Sequence, residues 1–201
     1  DRRLNCVVNK KRHSPGILSY LRAGCGFGGS CLPKDVTALQ AFGRNKGVKP
    51  NLLEAVLSVN RSRPAALISM AESALGDLKD KTVAVLGLAF KPGTDDLRDS
   101  PALALIDLLH KKNAIVRGYD PFISKLAHNG THVPVCKSPG EALCGADAAV
   151  IASGLPELAE WDWNTLAREM RHPVVIDGRS ALRRVHLPPS VQYIRIGQPS
   201  A

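Results

Sequence analysis

From Lys81 onward, short apolar runs of strand length alternate with helical stretches, and this alternation constrains the fold more than any other feature. Residues 82–88 (Thr-Val-Ala-Val-Leu-Gly-Leu) form an apolar run of the buried-strand kind. A turn over 91–99, a helix over 100–111, a strand over 114–119 and the turn Asp120-Pro121 follow. The pattern then predicts a helix over 123–128, a weak strand over 132–135, a short helix over 139–143 and a strong strand over 146–153. A helix over 163–170 and strands over 173–177 and 191–196 complete it. Strands that alternate with helices pack as a parallel sheet covered on both faces. The predicted class is therefore α/β: a helical N-terminal segment followed by a Rossmann-like, doubly wound, mostly parallel sheet of about six strands.

The first 80 residues read differently. Residues 1–30 carry little periodicity and end in a glycine cluster, Gly24, Gly26, Gly28 and Gly29, which predicts a loop-rich lead-in. A helix is predicted to start near Pro33, because proline suits the first helical position and Asp35 favours the first turn. It should run through Val36, Leu39, Ala41 and Phe42 and stop before Gly47. After Pro50, apolar residues over 51–75 follow helical spacing and predict one long helix ending at Gly76-Asp77. Pro64 lies inside it and predicts a kink or a break.

Composition narrows the function classes. The chain is 44% apolar and 22% charged, as in ordinary soluble globular proteins. No apolar run reaches the roughly 18 residues a membrane span needs, and no signal peptide is read behind the opening Asp-Arg-Arg. The missing initiator Met fits a portion of a longer protein. Net charge is +9, and residues 1–50 hold ten Lys or Arg against only Asp1 and Asp35. Such a patch attracts anions, although few aromatics and no readable module speak for nucleic acid, so no nucleic-acid partner is expected. The five cysteines are odd in number and form no CxxC pair, and the six histidines have no metal spacing. A disulfide framework or a metal site is therefore not expected, and a reducing cytoplasm is the simpler setting.

Two motifs carry candidate chemistry. The first is Gly-Phe-Gly-Gly-Ser-Cys-Leu-Pro-Lys-Asp over 26–35. A thiolate is the reactive form of cysteine, and a helix start or a neighbouring cation favours it. Cys31 meets both conditions on sequence, just before the helix start and three residues before Lys34. The glycines ahead of it leave the backbone open to a ligand. Lys34 breaks a local rule, since cations are disfavoured at a helix N-terminus. The competing reading is a small buried cysteine with solvated charges around it.

The second motif runs Phe90-Lys91-Pro92-Gly93-Thr94-Asp95-Asp96-Leu97-Arg98-Asp99-Ser100-Pro101 after the first strand. Gly87 and Gly93 are too far apart for the dinucleotide fingerprint GxGxxG. The stretch offers a strand end, two cations and a helix capped by Ser100 with Pro101 at its first position, which suits an anion. The alternative is a capped loop with Lys91–Asp95 or Arg98–Asp96 ion pairs. Arg179, after Asp177-Gly178 at a later strand end, is read either as a phosphate or ribose fork or as an exposed charge. Trp161 and Trp163 are read as packing at a helix start, and Cys25 as packing in the glycine loop.

Residues 28–35, preceded by Tyr20-Leu21-Arg22-Ala23-Gly24, resemble the active-site signature of the UDP-glucose/GDP-mannose dehydrogenase family. The Phe90-Lys91 to Arg98 run and Asp177-Gly178-Arg179 resemble the same family's C-terminal domain. The resemblance covers nearly all of residues 17–196. It implies a division into residues 1–80, the end of a central helical dimerisation region with the Cys31 loop, and residues 81–201, a nucleotide-sugar-binding Rossmann-like domain. It implies an NAD-dependent two-step oxidation in which Cys31 attacks the sugar aldehyde, a thioester forms, and water releases the uronic acid. By the same resemblance Asp35 helps organise proton transfer and water, and Lys34 and Arg98 lie on the cofactor side. Arg22, Gly26, Phe27, Gly28, Phe90, Lys91 and Arg179 would contact the nucleotide sugar. A homodimer through the helix over 51–75 is implied as well.

The family's N-terminal NAD-binding domain, with its catalytic lysine and water-directing glutamate, has no counterpart in these residues. The chain alone is therefore expected not to turn over. Where many relatives carry an arginine that reaches the neighbouring subunit's substrate, this chain has Pro15, with Arg12 as a stand-in. Asp177-Gly178-Arg179 leans to UDP-glucose as substrate, whereas Leu32 and Tyr20-Leu21-Arg22 lean to GDP-mannose. UDP-glucose is favoured, and a non-catalytic nucleotide-binding or dimerisation module is the alternative from another class.

Overall fold

A computed structural model describes residues 24–197 in full, together with the backbone of two short strands ahead of them. Those strands, β1 (Cys6–Val8) and β2 (Lys11–His13), pair antiparallel within the predicted loop-rich lead-in.

The centre of the fold is a parallel sheet of β3 (Thr82–Leu86), β4 (Ile115–Tyr119), β7 (Ala148–Ile151), β8 (Val174–Asp177) and β9 (Gln192–Arg195), in the order β4-β3-β7-β8-β9. β3, β7 and β8 are buried along their whole length, which is why they read as continuous apolar runs rather than alternating ones. Alternate residues still serve opposite faces. Val83, Val85, Val150 and Ile176 pack into one core with Leu67, Ile68 and Ala71 of α2 (Asn51–Leu75) and Leu105, Ile106 and Leu109 of α3 (Pro101–Lys111). Ala84, Leu86, Ile151 and Val175 pack into a second core with Leu143 of α4 (Pro139–Leu143) and Trp163 of α5 (Trp163–Glu169). Helices on both faces make the sheet doubly wound, as predicted. The strand order reverses between β3 and β7, so the crevice at their carboxyl ends is the natural ligand position.

The sheet has five strands rather than six. Residues 126–128 and 131–133, predicted as part of a helix and a weak sheet strand, form a separate antiparallel pair, β5 (Leu126–His128) and β6 (Thr131–Val133). The physical reason is the connecting Asn129-Gly130. Both residues have positive φ (48° and 76°), the geometry of a two-residue hairpin turn. The Ile123 and Leu126 spacing mimicked a helix over too short a stretch to decide the matter.

α1 (Leu32–Asn45) begins one residue before Pro33, and α2 spans the predicted range. Pro64 does not break α2; the helix continues through it with the proline buried. The C-terminal half of α2 is held on the sheet by Leu67, Ile68 and Ala71, which offsets the missing hydrogen bond. α1 buries none of its residues, and Leu39, Phe42, Leu52 and Val59 are exposed along α1 and the front of α2. Trp163 is buried and its ring packs near Trp161, as expected of a helix start. Among the described residues, no helix is long and apolar enough to cross a membrane.

Candidate functional site

The glycine loop over 24–30 lies on the carboxyl edge of the sheet. Cys25 N–H donates to Gly178 O at 2.8 Å, beyond the end of β8. Gly29 N–H donates to Arg98 O at 2.9 Å, in the loop between β3 and α3. A Cβ on Gly24 would stand 3.0 Å from Arg179 Nη1, and one on Gly28 only 2.0 Å from Asp99 O. At Gly29 a Cβ would stand 2.7 Å from the Phe90 ring, at a φ of +86°. Glycine is needed at 28 and 29 because backbone packs against backbone and ring there. The loop thereby brings both sequence motifs and Arg179 together.

Cys31 follows as the N-cap of α1, with its thiol exposed and Ser30 Oγ 3.7 Å away. It makes no side-chain capping bond, so the thiol is not committed to the helix. Asp35 sits four residues on and shares its helix face. Its carboxylate lies 3.5 Å from Lys34 Nζ, with both side chains about 70% exposed (72% and 69%). Arg22 lies outside the described residues, as does Pro15. Gly26 and Phe27 line the loop between Cys25 and the buried Gly28.

Arg98 grips Asp96 with both prongs, Nε to Oδ1 at 3.0 Å and Nη2 to Oδ2 at 2.7 Å. Of the two ion pairs weighed on sequence, this one forms, while Lys91 instead places its Nζ 5.3 Å from the Phe90 ring centroid. The Arg98 side chain, then its backbone N–H, hold the Asp96 carboxyl down to about 2. Arg98 is held above its ordinary value first by the hydrogen bond to Asp96, with the nearby Cys31 as a smaller cause. Asp96 is depressed, so the pair's contribution is complete above the ordinary carboxylate range near pH 4 and is lost as pH falls through about 2. A carboxyl-detected NMR titration should give Asp96 a midpoint near 2; a midpoint near 4 would mean that Arg98 is disengaged.

Arg179 is not an exposed strand-end charge. Its Nε donates to Ala152 O at 2.9 Å, beyond β7, and its N–H donates to Asp177 Oδ1 at 2.8 Å. The buried Asp177 carboxylate also accepts from Leu182 N–H at 2.9 Å and Tyr193 O–H at 2.7 Å. Burial first, then this bond to Asp177, push the Tyr193 hydroxyl well up. Asp177 therefore orients the Gly178-Arg179 turn, a role that sequence reasoning missed. Cys25 is fully packed, its Sγ donating to the same Ala152 O at 3.1 Å, and burial pushes its thiol up.

Two further residues escaped the sequence reading. Asp120, buried at the end of β4, accepts from Leu88 and Ala89 N–H through Oδ2 and from Phe122 N–H through Oδ1. It fixes the turn that carries Phe90 and Lys91. Asn60 of α2 bonds the backbone of Phe27 on both sides. Ser100 caps α3 as predicted, accepting from Ala102 N–H, and also donates to Leu88 O at 2.6 Å.

The turn after β3 does not fit a dinucleotide. It has no GxGxxG, and the Asp120 carboxylate, at the position where such folds contact a ribose, is consumed by three backbone amides. Among the described residues, the exposed cations on this side are Lys34, three residues after Cys31 in α1, and Arg98, whose charge is close enough to feel the Cys31 sulfur.

Residues 84–184 match the UDP-binding domain of the UDP-glucose/GDP-mannose dehydrogenase family, and residues 4–62 match that family's central domain. UDP-glucose 6-dehydrogenase AglM of Haloferax volcanii is 42% identical over 167 residues, covering 83% of this chain and 38% of the relative. A UDP-D-ManNAc dehydrogenase structure from Pyrococcus horikoshii superposes with a TM-score of 0.74 at 33% identity, covering 87% of this chain and 39% of that one. A UDP-glucose dehydrogenase from Pyrobaculum islandicum gives 0.71 at 33%, with the same coverage. The chain thus spans about two fifths of the length of the curated relatives it matches.

Proposed function

The chain belongs to the UDP-glucose/GDP-mannose dehydrogenase family, and from that premise we propose that it forms the nucleotide-sugar side of an NAD-dependent 6-dehydrogenase, with UDP-glucose as substrate and Cys31 as nucleophile. One observation carries the reading. The glycine loop meets the Phe90 ring and the Arg98 carbonyl at Gly29, two residues before Cys31, whose thiol lies near enough to the Arg98 guanidinium to act on it, while Gly24 of the same loop meets Arg179.

Each residue then has a chemical task. Arg179, with Nε occupied, presents its remaining guanidinium nitrogens to phosphate or ribose oxygens. Phe90 and Lys91, with Gly26, Phe27 and Gly28, line the sugar-nucleotide, and Lys91 supplies a cation for the diphosphate. Arg22, in the lead-in, is assigned to the same ligand by its place in the motif. Loss of hydride and proton from the C6 alcohol gives the aldehyde, Cys31 Sγ adds to its carbon to give a thiohemiacetal, a second loss of hydride and proton gives a thioester, and water cleaves the C–S bond to release the uronate and restore the thiol. Asp35, on the helix face of Cys31, serves proton transfer and orients that water. NAD, when bound, supplies the hydride acceptor, and Lys34 and Arg98 stand on its side of the thiol.

The exposed Leu52 and Val59 of α2, with Leu39 and Phe42 exposed on α1, support a homodimer through Asn51–Leu75, because exposed large apolar side chains favour cover. The binding half of the proposal is tested on this chain by thermal shift with UDP-glucose, UDP-glucuronate, GDP-mannose and UMP. A ligand at about 100 times its Kd should stabilise the fold by roughly 2.7 kcal/mol, and UDP-sugars should shift melting more than GDP-mannose. No shift with any nucleotide sugar, on folded protein, would sink the reading.

A further inference from the structure

Asn60 lies inside α2, and its side chain binds one backbone unit of the glycine loop twice. Phe27 N–H donates to Oδ1 at 2.7 Å, and Nδ2 donates to Phe27 O at 3.0 Å. Asparagine suits this grip because one planar amide carries an acceptor and a donor side by side. The main chain of Asn60 faces the same way. Residue 64 is proline and has no N–H, so the Asn60 carbonyl lacks the helical bond it would otherwise accept. A Cβ on Gly26 would stand 2.9 Å from Asn60 Oδ1 and 3.4 Å from Asn60 O. The gap in the helix ladder therefore coincides with the point where α2 holds the loop.

We infer that Asn60 is a positioning residue for Cys31: it fixes the height of the glycine loop over the sheet edge and so sets where the thiol stands relative to Arg98. The inference rests on the reading of Cys31 as the reacting group. The mechanical path is short. Phe27 is held by Asn60, Gly28 rests on Asp99 O, Gly29 N–H bonds Arg98 O, and two residues later Cys31 caps α1. Pro64 contributes by leaving the Asn60 carbonyl, which a Cβ on Gly26 would approach to 3.4 Å, without its helical N–H partner.

The test uses this chain with Asn60→Ala and Asn60→Asp. Amide hydrogen exchange is read by NMR, and the alkylation of Cys31 is read by mass spectrometry against Cys144, an exposed thiol at the end of α4. The decisive amide is that of Gly29, because it bonds Arg98 and not Asn60. In Asn60→Ala it should exchange at least about tenfold faster while β3 and β7 keep their protection. The Cys31 to Cys144 alkylation ratio should move by about threefold or more. Asn60→Asp keeps the acceptor for Phe27 N–H and loses the donor, so it should fall between wild type and Asn60→Ala. It carries the comparison if Asn60→Ala loses sheet protection. Faster exchange at Phe27 alone, with Gly29 and Cys31 unchanged, would overturn the inference and leave a local structural bond. A wild-type chain that binds no nucleotide sugar would overturn the proposed function instead, and the exchange and alkylation results would still decide the role of Asn60.

Discussion

Cys31→Ser in the complete dehydrogenase that carries these residues should cut uronate formation on the order of 10³-fold or more while nucleotide-sugar affinity changes by about twofold or less. Serine keeps the shape and the exposed position at the N-cap of α1, so the glycine loop and its bonds to Gly178 and Arg98 are undisturbed. What changes is the nucleophile. A hydroxyl is far less ionised than a thiol and would need an adjacent base, and the side chain in hydrogen-bond reach of Cys31 is another hydroxyl, Ser30 Oγ. The measurement is a steady-state assay with a parallel titration of the sugar nucleotide. An aldehyde-level product accumulating in the variant would locate the block after the first oxidation. Uronate formation at the wild-type rate would remove Cys31 from the mechanism.

The same residues show how much the sequence discloses. The buried strands were legible because a parallel sheet covered on both faces needs continuous apolar runs, and Thr82–Leu86, Ala148–Ile151 and Val174–Asp177 supply them. Ser100 with Pro101 announced the start of α3 through capping chemistry that is local. The β5–β6 pair is not legible from apolar spacing, which mimics a helix there; the local signal for it is the Asn129-Gly130 turn. The site divides along the same line. Cys31, Phe90, Lys91, Arg98 and Arg179 stand in compact motifs and could be picked out one motif at a time. Their meeting could not, since the contacts that join them run between residues distant in sequence, as from Cys25 to Ala152 and from Gly29 to Arg98. Asn60, Asp120 and Asp177 act through backbone amides and carbonyls, and no residue spacing encodes which amide a side chain will meet.

Gly28→Ala should produce the second large effect, and it separates space from backbone conformation. The Gly28 φ is not in the left-handed region, so alanine meets no conformational penalty there; its Cβ would meet Asp99 O at 2.0 Å and Asp99 C at 2.8 Å. Both are backbone atoms just ahead of α3, where Ser100 is tied to Leu88 O, so they cannot swing aside as a side-chain tip would. The loop has to lift by an ångström or more, which breaks Gly29 N–H to Arg98 O and moves Gly29 off the Phe90 ring and Cys31 away from Arg98. Overpacking of this kind costs about 1–3 kcal/mol. A displacement of about 1 Å at a reacting group can cost roughly 100-fold in rate. The expected result is a lower melting temperature in this chain, a weaker nucleotide-sugar complex, and activity of the complete enzyme reduced by about that factor. Gly43→Ala is the matched control. It lies inside α1, its Cβ would meet nothing closer than Pro50 Cβ at 3.8 Å, and it should stabilise the helix by about 0.5–1 kcal/mol. If Gly28→Ala melts and binds like wild type while Gly43→Ala behaves as expected, the glycine loop does not rest on Asp99, and the seat assigned to Cys31 is wrong.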